Sequence, residues 1–482
     1  MTSGAATAAD AELTSWPAHR LATAVRAGTV TSVDVATAFL DRIDALEPVH
    51  HAFTSRRTRD DVLKEAEERD DSRSSGVPDG WLYGVPTAVK DLTDVRGLPT
   101  TLGFWHPGEA PVATGDEDFV PRLRATGCLV LGKTSTPELG LGSHTYSRVA
   151  ETTRNAFVPD RSAGGSSGGA AVAVATGMVP VADGSDFMGS LRNPPGWNGV
   201  FGLRPTAERS PTPDGVDVQG DGGVTGPVAR DAVDLAHMLA TLTGRSLPTR
   251  GADSRLRRIG WLGDLDGELP TEQGLLDVCR ASLAVFADAG TLVEDAPPPL
   301  GPGFEQVELL WPTWLTFRHA AAGAELSAFA DEHDVLDRMK PEAQWEVAGY
   351  RSLTDEQQVD MARRRHGLAR VFSRLFDWFD ALVLPTAQVF PFPADQHWPT
   401  EIAGRSMDTY HRWMEVTAPA TLAGLPVLAV PVPTSGLPIG LQVIGPPNSE
   451  PMLLAVADVW QRAVAGSNGV ALCRTDDREV RR

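Results

Sequence analysis

Apolar residues recur at helical spacing in the first part of the chain. Leu21 and Val25 share one face of a predicted helix, and the same spacing resumes after Ser32, a residue type that often caps a helix amino terminus. The apolar positions of this second helix are Val35, Phe39, Ile43 and Leu46. Residues 12–47 are therefore predicted to form two helices of an amino-terminal helical arm that extends over about residues 12–75.

Beyond about residue 81 the pattern changes to short apolar runs between glycine-rich turns, and strand-like and helix-like segments then alternate. The predicted strands are 128–131, 178–182, 258–262, 291–293, 381–384 and two within 427–444; the predicted helices are 230–241, 273–288, several within 304–380, and 450–464. This alternation predicts an α/β fold. No internal repeat or low-complexity linker is present, so a single domain over residues 1–482 is expected.

Composition and charge narrow the functional classes. The 482 residues are 42% hydrophobic and 22% charged, as in ordinary globular proteins, and the net charge of −20 disfavours a nucleic-acid partner. The amino terminus has no basic stretch before an apolar run, and no apolar run approaches about 18 residues. These features predict a cytoplasmic protein without a membrane partner.

Cysteines and histidines do not form a metal-binding pattern. Cys128, Cys279 and Cys473 are scattered without a CxxC pair, and they are expected to be reduced and structural. The adjacent histidines His50 and His51 do not stand at ligand spacing. We therefore expect no metal.

The first segment that can carry chemistry is SAGGSSGGAAVAVATG, residues 162–177. Its serines precede a predicted helix, whose amino terminus favours negative charge, so a phosphate site and an oxyanion site are both open from these residues alone. The Walker and dinucleotide patterns are absent. Gly164, Ser166 and Gly168 match the GxSxG nucleophile elbow, but the preceding FVPDRSA is typical of a loop and not of the strand that an elbow requires.

A second segment, residues 182–206, contains ADGSDFMGSLRNPP. Ser190 lies between a glycine and an arginine followed by two prolines, which would fix the backbone and present the serine rigidly. A glycine-rich surface turn with an ordinary serine is the alternative interpretation.

The third segment is YGVPTAVKDLTDVRGLPTT, residues 83–101, in which Lys90 ends an apolar, strand-like run. A buried lysine is costly unless it is paired or neutral, and a neutral lysine can act as a general base. The alternative is an ion pair between Lys90 and Asp91 at a strand end.

Together the three segments resemble the amidase signature family, whose members share a lysine-aspartate strand, a GGSSGG loop and a GSxR serine. The spacing of 24 positions from Ser166 to Ser190 agrees with the family's Ser-cisSer-Lys arrangement. The similarity extends over nearly the whole chain, including the helical arm and the carboxyl-terminal block AGLPVLAVPVPTSGLPIGLQVIG. It implies an α/β/α sandwich around a large mixed β-sheet, no cofactor, and frequently a homodimer.

The resemblance also implies a role for each site residue. Ser190 corresponds to the nucleophile, Ser166 to the relay and Lys90 to the base, with the signature core at about residues 81–260. The backbone N–H groups of Phe187, Met188, Gly189 and Ser190 correspond to the oxyanion hole. Asp91, Asp186 and Arg192 are expected to support these residues from behind.

Several positions depart from the family pattern. DFMGS stands where many members have DTGGS, so Met188 places a bulky side chain beside the oxyanion hole, and the substrate pocket there should be reshaped. Ala156 replaces a frequent proline and Thr421 a frequent asparagine, and both changes are expected to be structural.

The resemblance places substrate selection in a variable region, about residues 300–415. This region contains six of the twelve tryptophans, and with Met188 we predict that Trp311 and Trp314 line a broad apolar or aromatic pocket. The tryptophans could equally pack helices. The predicted substrates are small-molecule aryl or alkyl amides, with esters and carbamates (urethanes) as further substrates. Two alternatives are the glutaminase-type subunit of a tRNA-dependent amidotransferase and a catalytically silent binding protein on a hydrolase scaffold.

Overall fold

The fold is seen in a computed structural model, which describes residues 12–73, 80–207, 209–211, 217–219, 222–246 and 256–466. Cys473 and the end of the predicted arm, residues 74–75, lie outside these ranges. Cys128 and Cys279 are buried and free, as expected for structural thiols.

The described part of the amino-terminal arm includes the helices α1 (Ala18–Ala27), α2 (Ser32–His50) and α3 (Arg59–Ser72). Helix α2 begins one residue earlier than predicted, because Thr31 and not Ser32 is the N-cap. The Thr31 side chain accepts a hydrogen bond from the amide of Asp34, and the Asp34 carboxylate accepts one from the amide of Thr31. The apolar face that the sequence predicted packs into the core: Val35, Phe39 and Ile43 are fully buried.

A mixed sheet of eleven strands crosses the molecule in the order β1-β3-β2-β4-β8-β5-β14-β15-β11-β9-β10. Strands β3, β2 and β4 run parallel at one end and β11, β9 and β10 at the other, while the strands from β4 to β11 pair antiparallel. The strands are β1 (Phe53–Arg56), β2 (Pro86–Lys90), β3 (Leu129–Thr134), β4 (Val181–Asp186), β5 (Phe201–Arg204), β8 (Val224–Ala229), β9 (Arg258–Trp261), β10 (Leu292–Asp295), β11 (Ala381–Pro385), β14 (Val427–Pro431) and β15 (Gly440–Ile444). The predicted α/β fold with a large mixed sheet is thus confirmed.

The remaining strands form two small hairpins outside the main sheet, β6 (Arg209–Pro211) with β7 (Asp217–Gln219) and β12 (Glu401–Ile402) with β13 (Arg405–Ser406). The other helices are α4 (Val120–Ala125), α5 (Gly168–Ala175), α6 (Asn193–Trp197), α7 (Ala232–Thr243), α8 (Leu275–Ser282), α9 (Ala284–Asp288), α10 (Leu310–Arg318), α11 (Ala324–His333), α12 (Pro341–Ser352), α13 (Asp355–Leu375), α14 (Ala418–Leu422) and α15 (Glu450–Gly466). Within the described ranges, every helix is too short or too polar to cross a bilayer.

Two parts of this framework place the candidate site. Strands β2 and β4 lie side by side in the sheet, and helix α5 packs on both. Helices α10 to α13 come from the long segment between β10 and β11, and α10 packs on α13 and α14. The site lies where these two groups meet.

Candidate active site

Lys90, Ser166 and Ser190 meet in the interior, although they come from three separate segments. Lys90 is the last residue of β2, Ser166 lies just before α5, and Ser190 follows β4 by four residues. Their side chains are 1%, 4% and 7% exposed, respectively. The parallel placement of β2 beside β4 brings the ends of both strands to the same edge of the sheet, where the loop before α5 also arrives.

A continuous chain of hydrogen-bond contacts joins the three side chains. Lys90 Nζ lies 2.8 Å from Ser166 Oγ, and Ser166 Oγ lies 3.1 Å from Ser190 Oγ. The amide of Ser166 also donates to Ser190 Oγ at 2.9 Å, and the Gly165–Ser166 peptide bond is cis. These distances are within the range that direct proton transfer between neighbouring groups requires.

Two further hydroxyl groups, which the sequence analysis did not identify, contact the lysine. Ser167 Oγ lies 3.0 Å and Ser185 Oγ 2.8 Å from Lys90 Nζ. Strand β4 extends to Asp186, four residues beyond its predicted end, so Ser185 lies in the strand next to the lysine strand. Ser185 stands two residues after Asp183, so the two side chains lie on the same face of the strand. This spacing is the sequence signal that could have identified Ser185.

Burial is the main influence on the protonation of Lys90. It lowers the pKa of the lysine to about 7, although the nearby carboxylates of Asp183 and Asp186 oppose this change. Asp183 Oδ1 accepts a hydrogen bond from the backbone amide of Lys90 at 3.0 Å, and burial raises the pKa of this carboxyl to about 6. A substantial fraction of neutral lysine is therefore present near neutral pH.

The alternative interpretation of Lys90, an ion pair with Asp91, is wrong. Successive side chains of a strand point to opposite faces, and Asp91 directly follows Lys90. The Asp91 carboxylate instead lies 3.4 Å from Lys133 Nζ and accepts hydrogen bonds from the amide and hydroxyl of Thr101. The Asp91 carboxylate thus holds the backbone beyond the lysine, and its hydrogen-bond and ion-pair partners are Thr101 and Lys133, not the side chains of the three catalytic candidates.

A buried ion-pair network holds the loop that carries Ser190. Asp186 accepts hydrogen bonds from the amides of Gly189 and Leu191 and from the guanidinium of Arg192, whose Nη2 is 2.9 Å from Oδ1. Burial by itself would raise the pKa of Asp186, but the charges of Arg192 and Arg204 outweigh it and hold that pKa well below its ordinary value. Asp186 and Arg192 therefore hold the loop that carries Ser190.

Residues distant in sequence complete the coordination of Arg192. Its Nη2 donates to Thr421 Oγ1 at 2.8 Å, and its Nη1 donates to Gln442 Oε1 at 3.0 Å and to the carbonyl of Thr417 at 2.8 Å. Thr421, one of the departures from the family pattern, thus supplies an acceptor to the loop scaffold.

One of the four predicted oxyanion donors is already engaged. The Gly189 amide donates to Asp186 Oδ1 at 2.9 Å, which takes it out of the predicted oxyanion hole and leaves the amides of Phe187, Met188 and Ser190 as the candidate donors. Gly189 has a φ of 87°, and a Cβ there would approach Thr417 and Met414 to within 2.9 and 3.0 Å. Glycine is therefore required at this turn.

Ser190 opens into a cavity of about 190 Å³. One side, which we call the signature wall, is formed by Ser166, Ser185, Phe187, Met188 and Ser190. Another side, the variable-region wall, is formed by Arg318, Ala322, Glu325, Leu326 and His411. Leu92, the loop 139–143 and Gly223 also line the cavity.

Of the three predicted pocket residues, Met188 lines this cavity, whereas Trp311 and Trp314 lie behind its surface. The Trp314 ring packs against Phe187, with ring centroids 5.5 Å apart, and the Trp311 ring packs against His411 at 5.0 Å. Their contribution is to hold two lining residues. Arg318 and His411 were not identified from the sequence, and they stand in no motif that points to them.

The tightest His/carboxylate group in the described ranges is His19, Asp231 and Asp234, far from the cavity in sequence. Its oxygens are already used: Asp231 Oδ1 accepts from the amides of Val233 and Asp234, and Asp234 accepts from the amides of Ala18 and His19. The group caps helices and gives no reason to infer a metal.

The chain is similar in sequence to a known protein family and in fold to solved structures. The family model described as "Amidase" matches residues 34–258 and 287–454. The chain is 31% identical to a glutamyl-tRNA(Gln) amidotransferase subunit from Chloroflexus aurantiacus and 30% identical to an acylamidase of Rhodococcus erythropolis; each match covers 91% of this chain and 94% of the relative. The crystal structure of a bacterial aryl acylamidase of the amidase signature family matches with a TM-score of 0.80 over 93% of this chain and 96% of that one; at 24% identity this likeness concerns the fold alone.

Proposed function

The chain belongs to the amidase (amidase signature) family of hydrolases acting on carbon–nitrogen bonds, and from this premise we propose that it cleaves aryl and alkyl amides through an acyl-enzyme on Ser190. The observation that carries the proposal is the chain of contacts from Lys90 Nζ through Ser166 Oγ to Ser190 Oγ, at 2.8 and 3.1 Å. A lysine with a pKa of about 7 can accept a proton near neutral pH.

The geometry supports a two-stage reaction. Ser190 Oγ attacks the substrate carbonyl, its proton passes to Ser166 Oγ, and the Ser166 proton passes to Lys90. The carbon–nitrogen bond then breaks as Ser166 gives a proton to the leaving nitrogen and takes back a proton from Lys90, which leaves the lysine neutral for the second stage. Water attacks the acyl-enzyme by the same relay and releases the carboxylic acid and Ser190.

The three remaining candidate donors would stabilise the negative charge that develops on the substrate's carbonyl oxygen. The amides of Phe187, Met188 and Ser190 belong to one turn, which the Asp186–Arg192 pair fixes before substrate arrives. A preorganised donor of this kind typically contributes about 3 kcal/mol to transition-state stabilisation. The same tetrahedral chemistry serves esters and carbamates, which we include among the proposed substrates.

A substrate panel tests the proposal. The purified chain is assayed on acyl nitroanilides, aryl esters and aryl carbamates, and the Ser190→Ala variant is assayed beside it. We expect nitroanilide hydrolysis that the substitution abolishes. Hydrolysis by the wild type that Ser190→Ala leaves undiminished would refute the assignment of the nucleophile.

A second candidate function is that of the glutamyl-tRNA(Gln) amidotransferase component found among the relatives. Such a role would make glutamine the preferred substrate and would require partner proteins. Hydrolysis of nitroanilides by the chain alone, with glutamine turned over more slowly, favours the amidase; the reverse favours the amidotransferase role. A fluorophosphonate probe tests the third possibility, a silent binding protein, because that protein would not be labelled at Ser190.

A further inference from the structure

A second, larger cavity adjoins the cavity at Ser190. It encloses about 780 Å³, against about 190 Å³ for the cavity at Ser190. Ligand pockets usually measure about 300–1,000 Å³, so the cavity at Ser190 is by itself a small one. The second cavity takes much of its apolar surface from aromatic and thioether side chains, those of Tyr146, Met339, Trp345, Trp398, Met407 and Tyr410.

Among the described residues, the two linings have no member in common, but they touch at two hydrogen bonds. Lys340, which lines the second cavity, donates from Nζ to the carbonyl of Leu141, which lines the first, at 2.5 Å. The Tyr410 hydroxyl, in the second lining, accepts from Nη2 of Arg318, in the first, at 2.6 Å. A Cβ placed on Gly142 would lie 3.8 Å from the Tyr410 ring and 3.9 Å from Lys340 Nζ. The partition between the cavities is therefore one side-chain layer thick at Gly142.

Lys340 ties this partition to the variable region at two points. Its backbone amide donates to Glu138 Oε1 at 2.5 Å and its Nζ to the Leu141 carbonyl, and the residue is only 6% exposed. Between these two anchor points Leu139 has a φ of 55°, a left-handed conformation that is uncommon for leucine and depends on its surroundings. Lys340 thus holds the loop 139–143 in place from the start of helix α12.

We propose that Lys340 limits the length of the substrates that the protein hydrolyses, because its side chain closes the cavity at Ser190 against the second cavity. This inference rests on the proposed function and adds a size class to it: compact amides, whose carbon skeleton ends at the partition. Shortening Lys340 opens the partition and lets an aliphatic chain extend past Gly142 into the second cavity.

The charge of Lys340 closes the partition as well as its bulk. Burial lowers the pKa of Lys340 to about 8, against the opposing charges of Glu342 and Glu138, so the amine is mainly protonated at pH 7. An aliphatic chain offers no hydrogen bond to an ammonium group, and it would have to separate Nζ from the Leu141 carbonyl to pass. The same position becomes favourable for an aliphatic chain once the ammonium group is absent.

Two length series test the proposal. One keeps the nitroanilide and lengthens a linear acyl chain from acetyl to dodecanoyl; the other keeps the acetyl group and lengthens a linear alkylamine, whose release is measured. In the wild type, kcat/KM should fall steeply beyond one chain length in the series that points towards the partition. In Lys340→Ala the fall should come at a longer chain, and each further methylene buried in the second cavity should raise kcat/KM about fourfold over the wild type.

The variants are chosen to separate the partition from the fold. Lys340→Ala keeps the backbone amide that donates to Glu138, and Glu342 keeps the Tyr146 hydroxyl as its donor. Lys340→Val is assayed in parallel, so that the test does not depend on the folding of the alanine variant. Lys340→Met retains a chain of similar length and should move the length limit least. Arg351→Ala removes a long basic side chain from α12 outside both linings and should keep the wild-type limit.

The outcomes distinguish this inference from the proposed function. If no compound is hydrolysed, or hydrolysis persists in Ser190→Ala, the proposed function fails. If hydrolysis proceeds through Ser190 but the wild type shows no length limit in either series, or Lys340→Ala and Lys340→Val both keep the wild-type limit, the role of Lys340 is refuted. A uniform loss of activity at every chain length, or an equal shift in Arg351→Ala, would also refute it, because only an opened partition improves the long substrates selectively.

Discussion

The polar groups on the two walls of the cavity differ in whether they have hydrogen-bond partners. On the signature wall each group has a partner: Ser166 and Ser185 contact Lys90, and Ser190 contacts Ser166. On the variable-region wall, His411 keeps two nitrogens and Arg318 one terminal nitrogen without a partner among the described residues. A single cavity thus combines a hydrogen-bonded side with an unsatisfied one.

The contrast separates groups that the fold supplies with hydrogen-bond partners from groups that have none among the described residues. Groups that transfer protons must be positioned before the reaction, so the fold supplies their partners. A buried polar atom without a partner, by contrast, destabilises the folded protein, so removing it should have the opposite effect on stability to removing a partnered one. Substitutions on each wall should therefore have different consequences.

The largest expected effect is on the signature wall, at the proposed nucleophile. Ser190→Ala removes the oxygen that we propose attacks the substrate while the cavity retains its shape, and kcat should fall about 10^5-fold, as in other serine hydrolases. Single-turnover and steady-state assays on a nitroanilide measure the loss. Ser135→Ala, which removes a buried hydroxyl that donates to the carbonyl of His51 outside the cavity, is the control and should retain kcat within a few fold. An equal loss in both variants would contradict the assignment.

The next effect concerns the scaffold of the same wall. Asp186→Asn preserves the side-chain shape but removes the charge that Arg192 and Arg204 surround at 2.9 and 3.4 Å. Breaking a buried ion pair from one side should lower the free energy of unfolding by about 3–5 kcal/mol, measured by urea denaturation. Asp295→Asn breaks the exposed pair with Arg280 and should cost less than about 1 kcal/mol. If Asp186→Asn and Asp295→Asn lower the free energy of unfolding equally, the ion-pair network around Asp186 does not hold the loop in place.

The protonation of Lys90 gives a third, smaller effect. Because the proposed base can accept a proton only when it is neutral, and burial lowers the pKa of Lys90 to about 7, kcat/KM should fall about tenfold for each pH unit below 7. Asp183 opposes the lowering of this pKa, so Asp183→Asn should shift the acidic limb to lower pH while Asn can still accept from the Lys90 amide. If Asp183→Asn leaves the acidic limb of the pH profile of kcat/KM in place, a group other than Lys90 controls that limb.

The same contrast explains how far the sequence could predict the site. Lys90, Ser166 and Ser190 stand in three short segments that each allowed a structural alternative, and the resemblance of the three segments together to the amidase signature implied their roles. The structure brings the three side chains together. The α/β fold was likewise readable from alternating apolar patterns. The sequence does not show which acceptor each backbone N–H group finds in the folded protein. The Gly189 amide was therefore expected to bind an oxyanion, whereas in the structure it donates to Asp186.

The variable-region wall was not predictable for a different reason. Arg318 ends helix α10 and His411 follows β13, so only the packing of the long segment between β10 and β14 brings them to one cavity. Trp311 and Trp314 have the composition of pocket residues but face inward on α10 and are 4% and 0% exposed. Residue type alone does not say whether an aromatic ring lines a cavity or supports the residue that does.

The smallest expected effect is on the free energy of unfolding, and its sign should differ between the two walls. His411→Phe replaces two unpartnered nitrogens with carbon in a ring of similar size, packed between Trp311 and Trp345. Removing buried polar atoms that make no hydrogen bond should raise the free energy of unfolding by about 1 kcal/mol, visible as a higher Tm. The matched change on the signature wall, Ser185→Ala, removes a hydroxyl that contacts Lys90 at 2.8 Å and should lower the Tm. If His411→Phe lowers the Tm as well, the imidazole has a partner within the folded protein, and the two walls do not differ as we describe.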